Sequence, residues 1–113
     1  MALSTVSDYA SAARLLLQDE TLPYRFSDGN LAFALSAALG EARRLRSDLF
    51  LGVASVPTYT IVDSTTVTMD ERYRMALVYY VAGWVQLVDD EDTQDSRALA
   101  FLGKFTSELV SGA

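Results

Sequence analysis

The side chains most able to do chemistry lie in an acidic run, residues 89–95, in which five of seven residues are Asp or Glu. Such carboxylates could bind a divalent cation, or act as general acid and base where a cleft separates their pKa values. A calcium-binding loop needs glycine at its sixth position and glutamate at its twelfth. Counting from Asp89, these positions hold Gln94 and Ala100, and counting from Asp90 does not restore the pattern. We therefore predict a solvated turn whose acids cap the next helix, with weak divalent-cation binding as the alternative.

The one concentration of basic residues is the motif Arg43-Arg44-x-Arg46. It could contact phosphate groups, but three arginines without lysines or interleaved aromatic residues are a weak signal for nucleic-acid binding. A planar guanidinium suits bidentate pairing with a carboxylate. Ion pairing is therefore favoured, either with Glu41 or Asp48 or with the acids of another chain, together with capping of a helix C-terminus.

Several aromatic residues recur at helical spacing in the second half of the chain, namely Tyr73, Tyr79, Tyr80 and Trp84. They could line a ligand pocket, but residues in this pattern more often anchor a core or a subunit interface. The sequence contains no glycine-rich phosphate loop and no nucleophile elbow.

The composition narrows the chemistry further. The chain has 113 residues, no cysteine, no histidine and a formal net charge of −6. Disulfides, thiolate nucleophiles, zinc–sulfur sites and imidazole catalysis are thereby excluded. We expect no enzymatic activity, no cofactor and no metal. An acidic chain is also a poor candidate for gripping the phosphate backbone of DNA.

Length and hydropathy indicate one domain over residues 1–113, with residues 111–113 frayed. No apolar run approaches the ~20 residues of a membrane span. The start of the chain also lacks the basic and apolar regions of a secretion signal. Synthesis in a reducing cytoplasm without membrane insertion is therefore expected.

The elements that must position these residues are predicted to be mainly helical. A first helix is predicted over residues 4–19, capped by Ser4 or Ser7. A second begins at the N-cap pair Ser27-Asp28 and runs to Arg46, with an alanine-rich apolar face that lets a neighbouring helix approach closely.

The third helix is predicted to open with a capping box at residues 68–71. Its apolar residues cover nearly all sides, which indicates a central helix or one that also serves a subunit interface. The fourth helix is predicted over residues 93–110.

Residues 58–62 and 65–68 are rich in β-branched and aromatic side chains and flank the turn Asp63-Ser64. They predict a short β-hairpin, which must pack on the rest of the chain because an isolated two-stranded ribbon is marginal in water. The predicted fold is thus a mainly α, four-helix small domain with a short β-hairpin between helices 2 and 3.

Two parts of the chain resemble a known family in the order and joint spacing of their motifs. The first part contains Ala13-Arg14-x-Leu16-Leu17-x-Asp19, then Tyr24-Arg25-Phe26-Ser27-Asp28-x-x-Leu31, then Ala38-Leu39-x-Glu41-Ala42-Arg43-Arg44-x-Arg46-x-Asp48-Leu49-Phe50. The second contains Tyr73-Arg74-x-Ala76-Leu77-x-x-Tyr80-Val81-x-Gly83, then Asp89-Asp90-Glu91-Asp92-Thr93, Ser96-Arg97-Ala98 and Phe101-Leu102-x-Lys104-Phe105. Over nearly the whole chain these motifs resemble the head-to-tail adaptor (connector) proteins of tailed bacteriophages.

The resemblance implies a structural virion protein at the head–tail junction, assembled in the host cytoplasm. Adaptors of this kind form an oligomeric ring, typically a dodecamer, beneath the portal protein. The ring extends the DNA channel towards tail or nozzle proteins, and DNA passes it during packaging and ejection without specific binding. No membrane is involved.

The two opposed charge clusters predict a pairing between neighbouring subunits, since a ring needs two different, complementary faces. The candidate subunit-interface residues are Arg43, Arg44, Arg46, Asp89, Asp90, Glu91, Asp92, Tyr79 and Trp84. Two alternatives from other classes stay open. One is a small acidic binding or regulatory module with an aromatic pocket, and the other is an enzyme subunit that supplies carboxylates to a bound divalent ion.

Overall fold

The structure, a computed structural model, describes residues 3–19, 26–51, 58–67, 69–87 and 95–111, without the side chains of residues 95–97 and 111. Its regular elements within these ranges are four α-helices: α1 (Val6–Leu17), α2 (Asp28–Leu45), α3 (Arg74–Leu87) and α4 (Asp95–Ser111). Two short 3₁₀ turns, Ser47–Phe50 and Glu71–Tyr73, follow α2 and precede α3. The predicted mainly helical fold with four helices is confirmed.

Helix α1 begins with a capping box on Thr5 rather than on the predicted Ser4 or Ser7. The Thr5 hydroxyl accepts a hydrogen bond from the Asp8 backbone N–H at 3.2 Å, and the Asp8 carboxylate accepts one from the Thr5 N–H at 3.0 Å. Ser4 adds two further donors to that carboxylate. These hydrogen bonds to the charged form hold the pKa of Asp8 below its usual value.

The predicted β-hairpin is wrong: the described residues 58–67 form no strand ladder. Instead residues 63–67 lie antiparallel to the chain that enters α1, with a single bridge between Thr5 and Thr66. The Val6 N–H donates to the Thr65 carbonyl at 3.0 Å, and the Ser7 N–H donates to the Asp63 carbonyl at 2.9 Å.

This pairing has a physical reason. The first N–H groups of an α-helix have no partner within the helix and must find one elsewhere. The carbonyls of Asp63 and Thr65 supply it, so the second half of the predicted hairpin caps α1. The first half is also engaged elsewhere, because the Tyr59 N–H donates to the Ser36 hydroxyl of α2 at 2.6 Å.

Helix α3 is the central element and packs against α1, α2 and α4, most extensively against α4. Its buried residues lie on several sides, as the all-round apolar pattern predicted. Gly83 allows the close approach of α4: a Cβ at that position would lie 2.9 Å from both the Ala98 carbonyl oxygen and Leu102 Cγ. None of the helices in the described ranges combines the length and apolar character needed to cross a bilayer.

Candidate interaction surfaces

A buried arginine, Arg14, joins the end of α1 to the start of α2. Its guanidinium donates to the Asp19 carboxylate at 2.8 Å, to the Phe26 carbonyl at 2.9 Å and to the Asp28 carboxylate at 2.6 Å. Asp19 also accepts from the Phe26 N–H at 3.1 Å. Arg14 is 6% exposed and Asp19 8% exposed. We call this set the arginine clasp, and it closes the connection between the two helices.

The sequence contains a signal for this clasp. Arg14 stands at the i+4 position from Ala10, within the apolar stripe that also holds Ala13 and Leu17. A charge at a buried helical position requires a partner, because an unpaired buried charge is very costly. All four residues of the clasp belong to the motifs that carry the family resemblance, so in this structure those motif positions hold the framework together.

The predicted intrachain partners of Arg44 and Arg46 are both present. The Arg44 guanidinium pairs with Glu41 one turn earlier, with Nε at 2.7 Å from Oε1. Hydrogen bonding to this carboxylate raises the pKa of Arg44. Arg46 makes a bidentate pair with Asp48, both contacts at 2.9 Å, and this pairing lowers the pKa of Asp48.

Arg46 does more than pair with Asp48. Its Nη1 donates to the Leu109 carbonyl, one of the unpaired carbonyls at the end of α4, at 2.8 Å. Its guanidinium also lies 5.2 Å from the ring centre of Tyr73. Arg46 therefore ties the ends of α2 and α4 together, whereas Arg44 lies at the surface and Arg43 is half-buried.

The acidic candidates Asp89, Asp90, Glu91 and Asp92 lie outside the described residues, so their pairing with the arginines stays a prediction. Helix α4 begins at Asp95, the last acid of the run. Among the residues that the structure describes, no group of three or more acidic side chains is placed to hold a metal ion.

Three of the candidate aromatic residues each pack against a different aromatic ring. Tyr79 stacks on Phe101 with centroids 6.3 Å apart, and Tyr80 meets Phe105 edge-on at 4.9 Å. The ring of Trp84 packs against Phe33 of α2 at 5.2 Å.

Tyr79 and Tyr80 thus contact α4 while Trp84 contacts α2. Phe33 is 55% exposed, and with Trp84 it forms a surface aromatic pair.

A shallow apolar hollow lies on another part of the surface. It is lined by Leu3, Ala12, Leu15, Leu16 and Met75 and has a volume of about 210 Å³. Leu15 is 55% exposed although leucine is most often buried. The sequence did not predict the hollow, because Leu15 lies outside the apolar stripe of α1. The one sequence feature that indicates it is a leucine next to that stripe.

The apolar hollow and the aromatic pair lie on opposite sides of α3. Met75 borders the hollow and Trp84 belongs to the aromatic pair, and both are residues of α3. They are nine positions apart in the sequence. Nine positions correspond to about two and a half turns of an α-helix, which directs the two side chains to opposite sides. The hollow and the aromatic pair are therefore two separate apolar surfaces within the part of the chain that the structure describes.

Comparison of the chain with protein-family models, with curated proteins and with solved structures gives no match.

Proposed function

We propose that the chain is a structural subunit of the head–tail junction of a tailed bacteriophage. It forms an oligomeric ring between the portal and the tail, and the ring extends the DNA channel. The observation that carries this proposal is the pair of separate apolar surfaces on opposite sides of α3. An adaptor subunit needs surfaces for its ring neighbours that differ from the surface it offers to the proteins above or below the ring.

The motifs that resemble adaptors support the proposal from another direction. Arg14 with Asp19, Glu41 with Arg44 and Arg46 with Asp48 are motif residues, and each pair forms an ion pair in the structure. Of these residues, Arg14 joins α1 to α2 and Arg46 joins the ends of α2 and α4, so part of the resemblance falls on positions that hold the helices together.

The charge of the chain is compatible with a conduit for DNA. A net charge of −6 repels the phosphate backbone and disfavours retention of the passing genome. Arg44 is paired with Glu41 and Arg46 with Asp48, so neither guanidinium is presented as an isolated cation to nucleic acid.

We assign the apolar hollow to the portal protein, because it is a concave apolar surface suited to accept a protruding apolar side chain. The test is co-sedimentation of the purified chain with portal rings of the same phage. Leu15→Asp should abolish co-sedimentation, since it places a charge at the rim of the hollow. Ser7→Asp, at another exposed position of α1 about two turns away, is the matched control and should co-sediment like the wild type.

A chain that neither binds portal rings nor is found in purified virions would refute the proposed function. Immunolabelling of virions gives the second readout, with label expected at the head–tail junction only. Native mass spectrometry addresses the alternative of a small acidic binding module with an aromatic pocket, which would stay monomeric or dimeric and carry a bound ligand.

The charge pairing between subunits is tested by Arg43→Glu combined with Arg44→Glu. Both positions lie in the last turn of α2, and Arg44 has only an exposed intrachain pair to lose. Arg46 is unsuitable for this test because its replacement would also release the end of α4. Normal assembly of the double variant at physiological salt would contradict the pairing.

A further inference from the structure

Two glycines lie in the middle of helices and have no close neighbour among the described residues. Gly40 of α2 and Gly103 of α4 are exposed, and a Cβ at either position would meet no described atom within 4 Å. A glycine inside a helix is unfavourable relative to alanine. Gly83 of α3 has a clear structural role, because the α4 backbone occupies the space that a Cβ would need. This contrast indicates that Gly40 and Gly103 serve a contact with another chain.

The outer face of α4 carries one exposed charge, Lys104, and is otherwise made of small, apolar and hydroxyl side chains. Its exposed residues at helical spacing are Leu99, Ala100, Gly103, Thr106, Ser107 and Val110. Leu99 is 60% exposed and Val110 48% exposed, and their spacing of eleven residues puts both large apolar side chains on the same side of the helix. Solvated helix faces normally carry charged and polar side chains, so this face has the composition of a packing surface.

The outer face of α2 has the same alternation of large and small side chains. Gly29, Phe33, Gly40 and Arg44 are exposed along it, and Ala37 is half-exposed. Phe33 projects with Trp84 beside it, and Arg44 lies in the last turn. These positions repeat every three or four residues, and therefore lie on one side of the helix.

We propose that α4 of one copy packs antiparallel on α2 of the next copy in the ring. Both helices rise by about 1.5 Å per residue, so one alignment determines all others. When Arg44 faces Asp95, the first residue of α4, Gly40 faces Leu99 and Phe33 faces Thr106. In the same register Gly29 faces Val110 and Ser36–Ala37 face Gly103.

This register is complementary in both size and charge. Leu99 and Val110 each face a glycine, and Phe33 faces the small-residue stretch around Gly103 and Thr106. Large residues opposite small ones let two helices interdigitate at the usual 8–10 Å separation. The basic last turn of α2 meets the helix start that carries Asp95, and the antiparallel helix dipoles also attract each other.

The contact is heterologous, since one copy uses α2 and its neighbour uses α4. Each copy therefore has one face of each kind to offer, and repetition of the contact produces a closed ring or an open filament. The inference rests on the proposed function for ring closure, and it names the surfaces by which the copies meet. It leaves the apolar hollow of α1 and α3 available for the portal.

Cysteine crosslinking tests this contact, because the chain has no cysteine of its own. A double variant, Gly40→Cys with Leu99→Cys, should give under mild oxidation a ladder of covalent dimers, trimers and higher species. Neither single variant should crosslink alone, while a mixture of the two should give dimers only. Asn30→Cys with Leu99→Cys is the matched control, because Asn30 lies on α2 about 80° around the helix and about 15 Å along it from Gly40 and should not produce a ladder.

A bulky replacement provides the second measurement. Gly40→Leu should fold at least as well as the wild type, since the position is open and leucine favours helix, but its ring formation should fall at least tenfold. Asn30→Leu should assemble like the wild type.

The inference is overturned if the double cysteine variant gives no ladder at concentrations where the wild type associates. It is also overturned if Gly40→Cys alone forms dimers, or if Gly40→Leu assembles normally. These outcomes are independent of portal binding. A ladder without portal binding would refute the proposed function and support the contact between copies. Portal binding without a ladder would support the proposed function and refute the contact.

Discussion

Replacement of Arg14 by methionine is expected to be the most destabilising single change in the arginine clasp. The variant keeps the volume of the side chain but leaves the Asp19 carboxylate buried, at 8% exposure, without its guanidinium partner. The Phe26 carbonyl loses the same donor. Breaking a buried ion pair by removing one partner costs about 3–5 kcal/mol. A whole domain is stable by only about 5–15 kcal/mol, so this loss is a large share of the total.

Urea unfolding followed by circular dichroism measures this cost. With a denaturant slope of about 1.5 kcal/mol/M, the midpoint of Arg14→Met should lie about 2–3 M below that of the wild type. Asp28→Asn should shift the midpoint far less, by an amount equivalent to about 1 kcal/mol or less, since its side chain is 61% exposed.

Two further variants separate the clasp from a general effect of losing an arginine. Arg72→Met makes the same replacement at an exposed position and should change the free energy of unfolding by less than about 1 kcal/mol. Arg14→Met combined with Asp19→Leu removes both buried charges and should recover part of the loss, because no unpaired carboxylate is left. Equal midpoints for Arg14→Met and Arg72→Met, or a double variant that loses the sum of both single effects, would refute the reasoning.

Three further predictions concern single positions. Gly83→Ala should destabilise the fold by about 1–3 kcal/mol through overpacking against α4. Gly103→Ala should stabilise the isolated chain by about 0.5–1 kcal/mol, and thermal unfolding of both variants checks that the two changes have opposite signs. Burial raises the pKa of Tyr9 to about 12, so the free energy of unfolding is unaffected by this group below pH 10 and falls as the pH rises through about 12, a loss that Tyr9→Phe should lack. Because the Tyr9 hydroxyl has no hydrogen-bond partner among the described residues, Tyr9→Phe should also be more stable by about 1 kcal/mol near neutral pH in urea unfolding. The lowered pKa of Asp8 gives stability that is present above pH 3.8 and disappears as the pH falls through the pKa of Asp8 in the folded state. The stabilities of wild type and Asp8→Asn should therefore converge at acid pH, and a constant difference between them would contradict this.

The helical framework could be predicted because its signals are local. Ser27 caps α2 as expected, since a serine before a regular apolar stripe is read from a few neighbouring residues. The predicted N-cap of α1 lies one or two residues away from Thr5. The better criterion is the spacing of Thr5 and Asp8, which completes a capping box, rather than the choice of serine.

The β-hairpin could not be predicted correctly from local propensity. The β-branched residues around Thr65 do adopt an extended conformation, but their backbone partner is the chain that enters α1. The tertiary structure decides which carbonyls accept hydrogen bonds from the free N–H groups of a helix. Residue propensities within a short sequence window carry no information about this placement. The partners of Arg14 could not be predicted for the same reason, although its position within the apolar stripe of α1 can be read from the sequence.

The caps of the helices have a consequence for the order in which the chain folds during synthesis. The arginine clasp joins residues no more than 14 positions apart, so it can form as soon as α1 and the start of α2 have been made. The carbonyls that cap α1 come from Asp63 and Thr65, and the donor that caps the end of α4 reaches back 63 positions to Arg46. Such long-range closures form late because they must first overcome the loss of chain entropy. The first half of the chain therefore emerges as a clasped helix pair that has only its local caps at Thr5 and Ser27. The long-range caps are added when residues 63–65 and then α4 have been made.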